Sequence, residues 1–79
     1  MIQNYLIMNF FKERFRELIR ISGKQLIQIS REIGVSKQKL SHWQTGYCEP
    51  CIDDLIVLAR YFGESVDYLI GYEKEDGSN

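Results

Sequence analysis

The 79-residue chain is long enough for one small domain and lies near the lower limit at which a hydrophobic core alone maintains a fold. Hydrophobic residues make up 44% of the chain, and its single proline argues against a disordered or linker-rich sequence. No apolar run reaches the roughly 20 residues of a membrane span, and no basic residue precedes the apolar N-terminal segment, so we expect a soluble cytoplasmic protein without a secretory signal.

The formal net charge of −1 conceals an uneven distribution of charge along the chain. Residues 1–47 contain eight Lys or Arg and three acidic residues, a sum of +5. Residues 48–79 contain two basic and eight acidic residues, a sum of −6. Such asymmetry is typical of a protein with one surface that binds a polyanion, and chance combined with an acidic tail is the alternative.

Apolar residues recur at helical spacing through the chain, and no stretch alternates as a strand does. Residues 1–8 are expected to form an N-terminal extension, either as a longer first helix, as a strand paired with a second subunit, or as a loose arm. Asn9 is expected to cap the first helix and Gly23 to end it. A second helix is predicted over residues 25–33. The apolar residues expected to be buried in these helices are Phe11, Phe15, Leu18, Ile19, Leu26, Ile29 and Ile33.

Ser36 is expected to cap the third helix, which Gly46 ends. A fourth helix is predicted over residues 52–62, and Ser65 caps a short fifth helix that Gly71 ends. The residues at core spacing in the last two helices are Ile52, Leu55, Leu58, Ala59, Phe62, Val66, Leu69 and Ile70. The domain therefore spans residues 9–71, and residues 72–79 form a flexible acidic tail.

The third helix has two large apolar residues, Leu40 and Trp43, which lie three apart and point inward. Its outward side carries no acidic residue, whereas a solvated helix more often has Glu–Lys pairs at i, i+4. The residues on the outward side are Gln38, Ser41, His42 and Thr45, and Lys37 and Lys39 flank them. Glutamine can form paired hydrogen bonds with adenine and lysine can donate to guanine, so this side predicts contact with DNA. An exposed polar face without a ligand is the alternative.

Over residues 9–71 the chain resembles the Cro and phage-repressor type of helix-turn-helix DNA-binding domain. The matching segments stand in the order FKERFREL, ISREIGVSKQKLSHWQTG, GYCEP and LIVLARYFGESVDYLIG. A lone helix-turn-helix pattern is a weak signal, but Gly34-Val35-Ser36 followed by Gly46-x-x-x-Pro50 and the SVDYLIG ending is specific. The resemblance implies an all-α, compact five-helix bundle of the lambda-repressor-like type. In it, residues 25–33 cross the DNA backbone and residues 37–45 lie in the major groove.

The resemblance also implies roles for individual residues. The base-reading positions of the family fall on Lys37, Gln38 and His42, and Ser41 joins them because it lies on the same outward side. Leu26 replaces the glutamine with which the family binds phosphate, so its neighbours are the candidates for that contact. The residues expected to bind DNA phosphates are Lys24, Gln25, Ser36, Lys39, Thr45 and Tyr47.

The chain departs from the family at three further positions. Ser30 replaces the usual alanine, and we expect its hydroxyl to bond back to a helix carbonyl. Ile19 and Gln44 replace a buried Arg–Glu pair, and losing both charges together avoids an unpaired buried charge. We therefore expect Gln44 to be hydrogen-bonded at the edge of the core.

The predicted function is a sequence-specific DNA-binding transcriptional regulator, a phage or mobile-element type of repressor that binds a palindromic operator as a homodimer. One recognition helix reads few base pairs, so two half-sites are needed for specificity. An antitoxin or a restriction-modification controller would have the same fold. The alternative from another class is a protein-interaction module, antitoxin-like or a co-regulator, that binds a partner through its acidic half.

Metal binding and catalysis are not expected. Cys48 and Cys51 form a C-x-x-C motif, but a structural zinc needs four ligands and the chain adds only His42, unless two subunits share the metal. No nucleophile–base pair accompanies that histidine, and Gly23-Lys24 lacks the rest of a phosphate-binding loop. We therefore expect no enzyme activity and no cofactor.

Overall fold

The computed structural model of the protein describes residues 10–71, which form five α-helices and, within that range, no strand. The helices are α1 (Phe11–Ser22), α2 (Leu26–Ile33), α3 (Lys37–Thr45), α4 (Ile52–Phe62) and α5 (Val66–Ile70). The predicted all-α five-helix architecture is therefore confirmed. The predicted N-terminal extension, the cap by Asn9 and the predicted acidic tail lie outside the described residues.

The core forms around an aromatic cluster that joins α1 to α3. Trp43 is 1% exposed, and its ring packs edge-on against Phe15 and Phe11 at centroid distances of 6.0 and 6.3 Å. The rings of Phe11 and Phe15 stack on each other at 5.2 Å. Aromatic rings combine a large buried area with a preferred geometry, so this cluster fixes the direction in which α3 faces. The buried core comprises Phe11, Phe15, Leu18, Ile29, Leu40, Trp43, Leu58, Ala59 and Leu69.

The turn between α2 and α3 has the predicted local chemistry. Gly34 has a φ of 76°, a left-handed conformation that glycine adopts without steric cost. Ser36 caps α3, since its Oγ accepts a hydrogen bond of 3.1 Å from the amide of Lys39. The expectation for Ser30 is wrong, because its Oγ donates to the carbonyl oxygen of Val35 at 2.6 Å. That carbonyl belongs to the turn, so the hydroxyl fastens α2 to the turn that precedes α3.

The start of α1 is held by a tertiary contact. Phe10 occupies the position before the helix without a side-chain cap, and its amide donates to the carbonyl oxygen of Ile70 at 2.9 Å. The guanidinium of Arg14 lies 4.5 Å from the ring centroid of Tyr68 and donates to its carbonyl oxygen at 3.2 Å. Helix α5 thus supplies the hydrogen-bond partner at this end of α1.

Two further expectations are corrected by the packing. Ile52 is 74% exposed although it lies at core spacing, because it opens α4 at the rim of the bundle. Gln44 is half-buried beside Ile19, at the edge of the core as expected. Within residues 10–71, however, its side-chain carboxamide makes no hydrogen bond, so this part of the expectation is wrong.

Helix α2 begins at Leu26, one residue after the predicted start, with Gln25 in the cap position.

Replacing Gly71 by alanine should destabilise the fold more than the same change at Gly23. Both glycines have a positive φ, 81° and 71°, so each alanine costs about 1–2 kcal/mol of backbone strain. A Cβ on Gly71 would also lie 2.5 Å from Cδ2 of Phe10, whereas a Cβ on Gly23 would meet no atom within 4 Å. The overlap should add about 1–3 kcal/mol to the loss at Gly71. Urea unfolding measures both free energies, and equal losses would contradict a tight contact between Phe10 and Gly71.

Candidate nucleic-acid interface

Helix α3 is anchored on one side and open on the other. Leu40 and Trp43 are 0% and 1% exposed, so they hold the inward side of the helix in the core. Of the outward residues predicted to contact DNA, Lys37, Gln38, Lys39 and Thr45 are exposed, and Ser41 and His42 are half-buried. All six are thus accessible on a fixed helix, with Gln38, Ser41, His42 and Thr45 on its outward side and the two lysines at the edges of that side.

The N-terminal end of α3 is suited to an anion. The Ser36 hydroxyl accepts from the amide of Lys39, which leaves its proton free to be donated outward. The helix dipole places partial positive charge at this end, and Lys37 and Lys39 add two full positive charges in the first turn. These groups form the most cationic part of the predicted interface.

The C-terminal end of α3 is closed by a network around one carbonyl. The carbonyl oxygen of His42 accepts hydrogen bonds from the amide of Tyr47 at 3.0 Å and from the hydroxyl of Thr45 at 3.2 Å. The Thr45 oxygen in turn accepts from the amide of Tyr47 at 3.3 Å, so this hydroxyl is already engaged within the protein. The rings of His42 and Tyr47 lie 4.6 Å apart, and Tyr47 is 78% exposed. Tyr47 is therefore accessible to a ligand, whereas Thr45 would have to give up a bond to donate to a phosphate.

The two candidates at the start of α2 differ in their surroundings. Gln25 is exposed in the cap position, where its side chain makes no capping bond. Lys24 points toward α4, because its Nζ lies 3.0 Å from Oε1 of Glu32 and 2.9 Å from the hydroxyl oxygen of Tyr61. The same Nζ lies 4.8 Å from the centroid of the Tyr61 ring. The charge of Lys24 is thus balanced by a neighbouring carboxylate, and Gln25 is the freer of the two.

Lys24, Glu32 and Tyr61 form a polar cluster, here called the Lys24 cluster, that connects the two ends of α2 with α4. The Tyr61 hydroxyl donates to Glu32 Oε1, and Gln28 Nε2 donates to Glu32 Oε2 at 3.2 Å. The hydrogen bond from Tyr61, followed by those from Lys24 and Gln28, lowers the pKa of Glu32 to about 2. Hydrogen bonds to Tyr61 and Glu32 raise the pKa of Lys24. Both side chains are therefore charged at neutral pH.

The structure brings one further cation to α3 that its sequence position did not indicate. Lys12 belongs to α1, yet its side chain runs along the end of α3. A Cβ on Gly46 would lie 3.2 Å from Lys12 Cδ and 3.8 Å from its Nζ. A cation at a helix C-terminus is stabilised by the dipole. The contact depends on the crossing of α1 and α3, so no local sequence signal could have identified it.

Cys48 and Cys51 are exposed free thiols, and the Cys51 thiol donates to Oδ2 of Asp54 at 3.3 Å. Residues 10–71 contain no group of three His, Cys, Asp or Glu side chains arranged to hold a metal ion. None of the helices in the same range has the length and hydropathy needed to cross a membrane.

The comparisons with known proteins point to transcriptional regulators. The chain is 30% identical over 59 residues to YobD, an uncharacterised HTH-type transcriptional regulator of Bacillus subtilis, a match that covers 75% of this chain and 53% of YobD. The chain thus spans about half the length of this curated relative. A crystal structure of a transcriptional regulator from Listeria innocua superposes with a TM-score of 0.79 at 32% identity, covering 92% of this chain and 68% of the other.

A second solved structure shows the same fold. The solution structure of the SOS-response transcriptional repressor LexA from Eubacterium rectale superposes with a TM-score of 0.74 at 31% identity. The match covers 86% of this chain and 70% of that structure. No family model matches the chain.

The pKa of Glu32 leads to a prediction about stability at low pH. A carboxylate whose folded pKa is about 2, against about 4.3 when unfolded, stabilises the fold above pH 4.3, and this contribution is lost as the pH falls toward 2. The wild-type chain should therefore be more stable than Glu32→Gln at neutral pH, and the difference should shrink between pH 4.3 and pH 2. Tyr61→Phe removes the main cause of the low pKa and should reduce the same pH dependence. Chemical unfolding across this pH range measures the effect, and a constant difference between wild type and Glu32→Gln would refute it.

Proposed function

Because the chain belongs to the helix-turn-helix transcriptional regulators, we propose that it binds a specific operator in double-stranded DNA through α3. In this proposal α3 enters the major groove and α2 crosses the DNA backbone. The protein acts as a repressor of the phage or mobile-element type, in which occupancy of the operator controls transcription.

The observation that carries the proposal is the division of α3 into two sides. Leu40 and Trp43 fix the helix from within the core, while an acid-free set of donors and acceptors faces outward. A groove in duplex DNA presents base edges between two rows of phosphates, and it is matched by a polar helix face with cations near its end. A rigidly anchored helix also loses little conformational freedom on binding.

Base reading is assigned to Lys37, Gln38, Ser41 and His42. Gln38 is exposed in the first turn of α3, the part of a recognition helix that reaches base edges, and its carboxamide can pair with N6 and N7 of adenine. The Lys37 ammonium can donate to guanine O6 and N7. Ser41 and His42 lie further along the same side, where each can donate to one base acceptor.

Phosphate binding is assigned chiefly to Ser36, Lys39, Gln25 and Tyr47. Ser36 has a hydroxyl proton to donate at a helix N-terminus, and Lys39 adds a charge beside it. Gln25 lies at the start of α2, and the exposed Tyr47 follows the end of α3, so these two flank the recognition helix. Lys24 and Thr45 contribute less in this proposal, because their polar atoms already have partners within the protein.

The operator is proposed to be a palindrome that binds two copies of the chain. One recognition helix contacts too few base pairs for specificity in a genome. A two-fold symmetric pair places two such helices in successive major grooves, roughly 34 Å apart. Selection of bound sequences from a random DNA pool would test this proposal, because two inverted half-sites separated by about one helical turn are expected.

Gln38→Ala should weaken binding to the selected operator by about 1–3 kcal/mol and relax the preference at one base pair. The reason is the loss of a bidentate bond to a base, which leaves phosphate contacts intact. Gln28→Ala is the matched control, since Gln28 is an exposed glutamine of α2 that bonds to Glu32. Fluorescence anisotropy with operator and random duplexes gives both affinities. Equal losses on the two duplexes would remove Gln38 from base reading.

Lys39→Ala should weaken binding to every duplex alike and lower the slope of log affinity against log salt by about one unit. The change removes one cation that displaces counterions from a phosphate. Arg20→Ala is the control, because it removes the same charge from a residue that forms an ion pair with Glu17 on α1. Wild-type protein whose binding to random DNA shows no salt dependence would instead favour the protein-interaction module.

A further inference from the structure

Helix α4 has a solvent-facing side that is apolar at its centre. Its inward side carries the buried Leu58 and Ala59, yet Ile56 and Val57 on the outward side are 40% and 39% exposed. Asp53 and Arg60 are exposed as well, one in the first turn of the helix and one in the last. The positions 53, 56, 57 and 60 follow the i, i+3, i+4, i+7 spacing of a single helical stripe. We call these four residues the α4 outer stripe.

The α4 outer stripe is complementary to itself. Two antiparallel copies of α4 related by a two-fold axis between positions 56 and 57 bring Asp53 of each copy opposite Arg60 of the other. Ile56 and Val57 of both copies then meet at the axis. An isologous interface requires this kind of pattern, in which the same patch supplies both halves of every contact. A polar rim around an apolar centre is also the usual anatomy of a protein interface.

We propose that the α4 outer stripe is the surface through which two copies of this chain associate, with their α4 helices antiparallel. The role of this dimer rests on the proposed function, because a palindromic operator needs two copies of the chain. The stripe shares no residue with the predicted DNA interface, so the two surfaces can be occupied together. Ile52, 74% exposed one turn before Ile56, borders the stripe and extends its apolar area.

The pattern of charge favours a second copy over a different partner. A stripe of one sign would indicate an oppositely charged partner, whereas here an acid and a base stand at equal distances from the apolar centre. The other large exposed apolar residues of the described range, Phe10, Ile21, Ile27 and Tyr47, lie singly on separate parts of the fold. A single helix pair buries less surface than the 1,200–2,000 Å² of a standard interface (an order-of-magnitude range), so we expect micromolar to millimolar association in solution.

The test is a charge exchange across the stripe, measured by sedimentation equilibrium of the full chain up to millimolar concentration. Asp53→Arg and Arg60→Asp each place like charges opposite each other and should raise the dimer dissociation constant at least about tenfold. The double variant Asp53→Arg/Arg60→Asp restores opposite charges and should return to within about threefold of wild type. The two positions lie roughly 10 Å apart along one helix, so the restoration cannot come from a contact within one copy.

Glu17→Arg is the control, since it reverses an exposed charge on α1 and should leave the dimer dissociation constant unchanged. Circular dichroism melts verify that each variant is folded. A wild-type chain that stays monomeric, single variants that associate like wild type, or a double variant as weak as the single variants would each overturn the inference.

Binding to a duplex with one half-site separates this inference from the proposed function. The single variants should bind one half-site like wild type and lose affinity for the complete palindrome. If the chain binds DNA but its dimer dissociation constant does not change in the charge-exchange variants, the proposed dimer surface is wrong and the proposed function stands. If the dimer dissociation constant changes as expected in these variants but the chain binds no DNA, the proposed function is wrong and the dimer surface stands.

Discussion

The packing of Trp43 against Phe11 and Phe15 determines what the rest of the molecule can do. α3 has two large apolar residues, and a nine-residue helix is too short to be stable in water without tertiary contacts. Burial of Trp43 and Leu40 supplies those contacts and simultaneously leaves the side of α3 opposite to them open to solvent. The chemistry of the outward side is therefore a consequence of where the aromatic cluster holds the helix.

Polar contacts add to the buried Ile29 in holding α2 relative to this helix. The hydroxyl of Ser30 binds the turn that precedes α3, and the Lys24 cluster fastens α2 to α4. A helix-turn-helix unit reads DNA only if its two helices keep a fixed relation, since one lies across the backbone while the other enters the groove. The same contacts explain why Lys24 is a weak candidate for phosphate binding. Its ammonium already donates hydrogen bonds to a carboxylate and a phenol, so its charge is largely balanced within the protein.

Much of this architecture could be predicted because its signals are local. Ser36 and Ser65 cap helices as expected, and the bounds of α3 and α4 match their predicted ranges. The outward residues of α3 follow from helical spacing alone. The errors arose where a distant element decides the outcome. Spacing placed Ile52 in the core, but the described structure leaves it 74% exposed at the start of α4.

The unexpected contacts of the candidate interface are tertiary for the same reason. Lys12 reaches the end of α3 only because α1 and α3 cross there, and Lys24 turns away from the interface because Tyr61 of α4 is close to it. The sequence shows which polar side chains are present. Whether such a side chain is free to bind DNA depends on the partners that the fold brings to it.

A net charge of −1 does not conflict with DNA binding, because the basic residues are concentrated in residues 1–47 and the acidic residues in residues 48–79. The cations near the proposed groove come from α1 and α3, whereas the acidic residues Asp53, Asp54 and Asp67 lie on α4 and α5. Salt screens charges beyond about a Debye length, roughly 8–10 Å at physiological salt, so the lysines of α3 act on a duplex bound there more strongly than the net charge does. The acidic side then repels DNA and leaves one orientation favoured. In the proposed dimer Asp53 of each copy faces Arg60 of the other, so this carboxylate is paired between the two copies.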